Sequence, residues 1–263
     1  MCTAVILRRP GPPASLVVAA NRDEFLRRPA LGPTVLLEQP RAVGGLDLEQ
    51  RGSWFGVTAG GLIALLTNQP EPGGHPLPGR RSRGEIVMGV LREGERAAAR
   101  AWLSQLDGRD YNSFNLLFGD AWSAEVAYGR SDRAELELEA VPDGLSVLPN
   151  GRLNQPDHVK VARARAVVEP AIDAPWPELR RALAAALGDH ERVPLDSLPE
   201  TPPGARFPRE LIRELGALCI HTPEYGTRSS SITRLEPGRV VELAYAPGPP
   251  CRSDLEDVTW MLR

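Results

Sequence analysis

Lysine is almost missing from this chain: among its 31 basic residues, Lys160 is the single lysine and all the others are arginine. Together with abundant Ala, Gly and Pro, that bias points to a GC-rich, bacterial genome, which is a statement about codons and not about chemistry. Cysteine is also scarce. Cys2, Cys219 and Cys251 are too few for a disulfide framework in a chain of 263 residues, and a reducing, cytoplasmic compartment is the expectation. No C-x-x-C pair occurs, and His75, His158, His190 and His221 stand in no recognisable ligand spacing. No metal site and no cofactor are therefore expected. Long apolar runs are absent too. The run beginning at Ala4 is far too short to span a bilayer, and Arg8-Arg9-Pro10 end it, which makes a poor signal peptide. Excess positive charge is lacking: the formal net charge is −3, so nucleic acid is not an expected partner. No internal repeat or low-complexity tail is present.

What remains is ordinary for a folded protein, with 42% apolar and 25% charged residues, and one domain over residues 1–263 is expected. The opening stretch carries the most information. Met1–Leu7, with Cys2 at its outer end, and Ser15–Ala20 are apolar runs flanking Arg8-Arg9-Pro10-Gly11-Pro12-Pro13, the pattern of an antiparallel hairpin. Strands in such a pair lie about 5 Å apart, so Cys2 is brought close to Asn21, Arg22, Asp23 and Glu24. Removal of Met1 would leave Cys2 with a free α-amine of reference pKa about 7.7–8.0, a nucleophile carrying its own base. Read as a single residue, Cys2 is equally a small buried apolar side chain starting a strand.

Further along, Leu26–Gln50 is rich in Pro and Gly and reads as loop. Ser53–Val57 and Leu62–Thr67 read as strands joined by Ala59-Gly60-Gly61, and Gln69–Pro76 as a turn-dense rim loop. Ser82 and Glu85 have capping-box spacing at the start of a helix, and Glu95–Leu106 reads as a second. Phe114–Phe118, Ala124–Tyr128, Leu136–Ala140 and Leu145–Leu148 read as strands. Asp157–Val168 and Trp176–Leu187 read as helices, Asp189–Pro208 as a connector, and Pro208–Leu215 as a last helix. Leu218–His221, Ser230–Leu235 and Val240–Tyr245 close the chain as strands. Clustered strands separated by helical blocks indicate α+β.

Met1-Cys2-Thr3 followed by Asn21-Arg22-Asp23-Glu24 resembles the NRDE family, also called the transport-and-Golgi-organisation family. Gly52–Val57, Leu66-Thr67-Asn68, Ser82-Arg83-Gly84, Phe114–Leu117, Leu148–Gly151 and Tyr225–Ser230 are similar in the same order, so the resemblance spans nearly the whole chain. It implies an Ntn-hydrolase-like four-layer αββα sandwich with two stacked antiparallel sheets. It also implies a site like that of cysteine-type acylases, with Cys2 as nucleophile and Asp23 holding the terminal amine. Asn68 and Asn150 would be oxyanion donors, worth about 2.7–4 kcal/mol of transition-state stabilisation where they act, and Arg228 would complete the site. Asn21, Arg22, Glu24 and Trp54 are the accompanying substrate-binding candidates. Where the acylases have Arg, this chain has Ala20, and Arg22 stands two positions later on the same strand face; an adjacent cation lowers a thiol pKa, and the sequence leaves open whether Arg22 does so.

Plainer roles stand beside these. Arg22 and Asp23 read also as an ion pair pinning a strand end, Asn68 and Asn150 as turn residues, and Arg228 as a ligand of loop carbonyls. His221 reads as core or rim. Two functions follow. One is an N-terminal-cysteine hydrolase of a linear amide or related acyl substrate. The alternative, implied by the same family, is non-enzymatic binding or trafficking of haem or acyl-CoA in that pocket.

Overall fold

Alternation of side chains along the opening hairpin organises the whole molecule. The computed structural model describes residues 2–71, 74–198, 200–201 and 208–263. Strands β1 (Thr3–Arg9) and β2 (Ser15–Phe25) pair antiparallel, with Thr3 opposite Asn21 and Val5 opposite Ala19. They sit in a six-stranded sheet, and a seven-stranded sheet begins with β3 (Ala30–Glu38), β4 (Arg41–Asp47), β5 (Phe55–Thr58) and β6 (Ile63–Asn68). Helices α1 (Gly84–Glu93) and α2 (Arg96–Leu103) follow, and β7 (Phe114–Gly119), β8 (Ala124–Gly129) and β9 (Glu137–Ala140) complete the second sheet. The chain then returns through β10 (Gly144–Leu148), α3 (Val159–Val168), α4 (Trp176–Leu187) and α5 (Arg209–Leu215). It ends in β11 (Tyr225–Glu236), β12 (Arg239–Ala246) and β13 (Glu256–Asp257). The strand orders are β10-β1-β2-β11-β12-β13 and β3-β4-β5-β6-β7-β8-β9, antiparallel throughout.

Period-two alternation assigns each face of each sheet. Ile6, Leu16 and Val18 from the first sheet meet Val57, Leu65, Leu117 and Val126 from the second in the seam between them. Val5, Val17 and Ala19 point the other way, onto Ala164 of α3 and Leu183 of α4. On the far side, Ala64 and Leu66 meet Ile86 and Val90 of α1 and Leu103 of α2. Each fully buried aliphatic side chain contributes about 1.5–3 kcal/mol, and together these three cores hold helix, sheet, sheet and helix in register as four layers.

Several expectations need correction. The Leu26–Gln50 stretch is not loop but β3 and β4: Pro33 is tolerated because β3 is an edge strand whose pairing with β4 shifts register at bulges. No capping box forms at α1. Its N-cap is Arg83 without a side-chain bond, and the Glu85 carboxylate is drawn instead to Arg81 at 2.8 Å. Leu218–His221 is no strand, making only an isolated bridge between His221 and Gly226. Helix α2 stops at Leu103, short of Leu106. Parts of the rim loop and of the Asp189–Pro208 connector lie outside the described residues. No helix among the described residues is long and apolar enough to cross a membrane.

Candidate functional site

The parity that sorts the core also splits the Asn21–Asp23 motif across the two faces of β2. Arg22 continues the set of Leu16, Val18 and Ala20 into the seam, whereas Asn21 and Asp23 continue that of Val17 and Ala19 toward the helices. Cys2 belongs to the seam set of β1, with Ala4 and Ile6. It lies in a chamber lined by Ala20, Arg22, Trp54, Leu65, Ser231 and Tyr245, with room for about one water (≈ 10 Å³). Arg22 lies over Trp54, its Cζ 3.9 Å from the ring centroid. The indole in turn rests on Gly45, where a Cβ would approach its ring to 2.0 Å.

Burial dominates the electrostatics. It pushes the Cys2 thiol up, aided by the Asp23 carboxylate and opposed by the Asp23 backbone N–H and, least, by Arg22. Arg22 does lower the thiol pKa, but desolvation of the thiolate outweighs the nearby cation. Burial also lowers the Arg22 pKa, while Cys2, Glu24 and Asp47 raise it. Arg83 of the Ser82-Arg83-Gly84 motif, to which the sequence assigned no site role, is lowered by burial and feels Glu71, Glu24 and Cys2. Glu24 accepts from the Phe25 backbone N–H at 2.8 Å.

On the opposite face the polar groups hold structure. Asn21 donates to the carbonyls of Leu187 (2.8 Å) and Leu218 (2.9 Å) and accepts from Ser230 Oγ (2.5 Å). Asp23 accepts from Thr227 Oγ1 at 2.7 Å and faces Lys160 Nζ at 3.5 Å. Lys160 and Asp23 are both buried, so the chain's lone lysine has a specific use, and its rarity was the signal that could have marked it. Whether Asp23 also holds a terminal amine turns on Met1, which lies outside the described residues.

The remaining acylase-like candidates are not brought into the Cys2 chamber. Asn68 ends β6 in the set of Ala64 and Leu66, which face α1. Its backbone carbonyl accepts from Asn150 Nδ2 at 2.6 Å, so Asn150 braces β6. The same loop is held from β7, where Asn115 Nδ2 donates to the carbonyls of Gly151 (2.8 Å) and Pro149 (3.3 Å). Arg228 donates through Nη1 to the carbonyls of Phe25 (3.3 Å), Arg28 (3.4 Å) and Leu26, which is its plainer role. Arg228 also lines a second, open cavity of ≈ 580 Å³ with Leu26, Ile220, Pro223, Pro249 and Arg252.

A thiol–imidazole cluster adjoins that cavity, and spacing along the chain did not reveal it. Cys219 Sγ lies 3.8 Å from Cys251 Sγ and 3.6 Å from His221 Nε2, and the latter is 3.3 Å from Cys251 Sγ. His190 stacks beside His221 with centroids 4.9 Å apart. The expectation of no His/Cys cluster is thus corrected: its members come from three segments that fold together. Burial and the second thiol push Cys219 up to about 12, and burial lowers His221.

Two antiparallel sheets stacked between helical layers, with a cysteine at the mouth of their seam, define an Ntn-hydrolase-like αββα sandwich. Solved structures agree. A mutant of the conjugated bile acid hydrolase from Clostridium perfringens is 9% identical with a TM-score of 0.55, matching 100% of this chain and 94% of that one. A second variant of that hydrolase is 11% identical with a TM-score of 0.50 over the same shares. The chain belongs to the Transport and Golgi organisation 2 family, whose model matches residues 1–243. The Transport and Golgi organization protein 2 homolog of Bos taurus is 30% identical, and that of Homo sapiens 28%, each over 82% of this chain and 80% of the relative. These mammalian relatives correct the bacterial origin read from composition: codon bias is no guide to source.

Proposed function

We propose that the protein binds a large apolar anion, of the acyl-CoA or haem type, in the cavity flanked by Arg228 and Arg252. The contrast in room carries this reading. The Cys2 chamber has space for about one water (≈ 10 Å³), whereas the second cavity offers ≈ 580 Å³, inside the range of about 300–1,000 Å³ usual for small-molecule sites. Leu26, Ile220 and three prolines supply an apolar wall, and two guanidiniums at its edge suit carboxylate or phosphate. The binding site of this reading is thus the second cavity and not the acylase-type pocket. Three free thiols fit a reducing, cytoplasmic setting.

Titration of the full chain with palmitoyl-CoA, coenzyme A and haem tests it. Palmitoyl-CoA or haem, the latter read by its Soret band, should bind with a defined stoichiometry. Arg228→Ala or Arg252→Ala should weaken that ligand by about 10–100-fold, the loss of a charge-assisted hydrogen bond. Absence of binding by both ligands, or indifference to both arginine variants, refutes the reading.

A second reading, hydrolysis of a linear amide or acyl compound, is favoured by the Asp23 N–H and Arg22 beside Cys2. In it, Cys2 Sγ attacks the carbonyl, its α-amine transfers the proton to the leaving group, and water hydrolyses the thioester. It requires loss of Met1 and an opened chamber. Intact mass with a thiol-selective electrophile, on wild type and Cys2→Ser, decides it: labelling absent from Cys2 sinks hydrolysis.

A further inference from the structure

The thiol–imidazole cluster has the dimensions of a metal site. A tetrahedral zinc with Zn–S of about 2.3 Å and Zn–N of about 2.0–2.1 Å sets edges of about 3.8 Å between sulfurs and about 3.6 Å between sulfur and nitrogen. The observed edges are 3.8 Å for Cys219–Cys251, 3.6 Å for Cys219–His221 and 3.3 Å for His221–Cys251. Three vertices of the polyhedron are therefore already in place. The fourth, His190, keeps its ligand atom within 4.8 Å of the others, and as an exposed side chain it closes that gap by a small ring movement. Its Nδ1 lies 3.2 Å from the Cys219 carbonyl. In the tautomer that donates there, the lone pair is on Nε2, the arrangement by which backbone carbonyls orient metal-bound imidazoles.

We infer that His190, Cys219, His221 and Cys251 form a structural zinc site of Cys₂His₂ type. Two thiolates and two imidazoles are the donor set that selects zinc over hard cations. Binding Zn²⁺ displaces the two thiol protons to solvent and leaves the site neutral, with no oxidant or reductant involved. Each ligand sits on a segment with little secondary structure to hold it. His190 follows the end of α4, Cys219 and His221 lie in the stretch before β11, and Cys251 lies in the turn after β12. The first two segments are already joined, since the Cys219 N–H donates to the Asp189 carbonyl at 2.8 Å. The third is the 247–252 turn, which forms a wall of the large cavity through Pro247, Pro249 and Arg252. Zinc would clamp that wall to the body of the protein. The inference is independent of what the cavity binds.

The test is metal content of the full chain, purified with a reductant and without chelator, by elemental analysis and native mass spectrometry. One zinc per chain is expected, and cobalt(II) substitution should give thiolate-to-cobalt charge transfer with intense tetrahedral ligand-field bands. Cys251→Ser and His221→Gln alter accessible side chains. Each should reduce zinc affinity by more than the ~10–100-fold typical of outer-shell changes, while His75→Gln, an exposed histidine outside the cluster, should leave it unchanged. Failure of the wild-type chain to take up stoichiometric zinc when it is supplied overturns the inference. So does full retention in Cys251→Ser, or a Cys219–Cys251 disulfide formed in place of zinc binding under reductant.

Discussion

Cys2 and Cys219 are both buried thiols whose acidity burial suppresses, yet their surroundings differ in kind. Around Cys2 the neighbours are a guanidinium stacked on an indole and a backbone N–H, in a chamber with space for about one water. Around Cys219 they are a second sulfur and the His221 imidazole within about 4 Å, beside an open cavity. A tight seam between sheets shuts a thiol away from solvent, whereas a rim where loops meet leaves side chains open to it. Sulfur alone predicts neither behaviour.

Substitutions can break this contrast. Its largest expected consequence lies beneath Cys2. Lys160→Met removes the buried cation that faces Asp23 at 3.5 Å, and urea denaturation should register a loss of about 3–5 kcal/mol. Gly45→Ala should come next, at about 1–3 kcal/mol, because its Cβ would meet the Trp54 ring at 2.0 Å. The indole would be displaced from Arg22, and a shift in tryptophan emission should accompany the lower unfolding midpoint.

A smaller effect separates the two histidine environments. His158 is held neutral by burial, with its pKa lowered to about 4, and Nδ1 accepts from the Lys160 N–H at the start of α3. Between pH of about 6.5 and 4 the unfolded chain binds a proton that the folded chain refuses, so stability is lost as pH falls through that window. Discounted for partial exposure, the loss is about 1–2 kcal/mol, and His158→Gln should flatten that part of the pH–stability curve.

The least effect on stability, and the sharpest on chemistry, is the order of thiol labelling after chelation. At about pH 8, exposed Cys251 should react with iodoacetamide first, and buried Cys2 and Cys219 far more slowly, as peptide mapping would resolve. Equal rates for all three would dissolve the contrast.

Where the chemistry is local, it was legible. Apolar runs at Val5–Leu7 and Leu16–Ala20, buried on both faces by side-chain alternation, and the proline-rich turn between them specify the opening hairpin, and hence the closeness of Cys2 to Arg22. The same alternation, carried through Asn21-Arg22-Asp23, forecasts that these neighbours in sequence face opposite ways. Reading them as one cluster overlooked that. Pro29, Pro33 and Pro40 concealed β3 and β4, since an edge strand with bulges tolerates residues that a central strand does not. Asn68 and Asn150 match a pattern of positions, but hydrogen bonding to a backbone carbonyl is a property of the folded loop. The thiol–imidazole cluster was beyond reach of spacing. His190 and Cys251 stand 29 and 32 residues from Cys219, on segments without periodicity to predict their meeting.

Thr227 has one proton to give and gives it to Asp23, while its oxygen accepts from the Ile220 N–H at 3.0 Å. The hydroxyl is thereby locked in a single orientation, and the row of dipoles from Ile220 to Asp23 points one way. Such rows polarise together. Ile220 lies between Cys219 and His221, so this row runs from the backbone of the thiol–imidazole cluster to the buried carboxylate of Asp23.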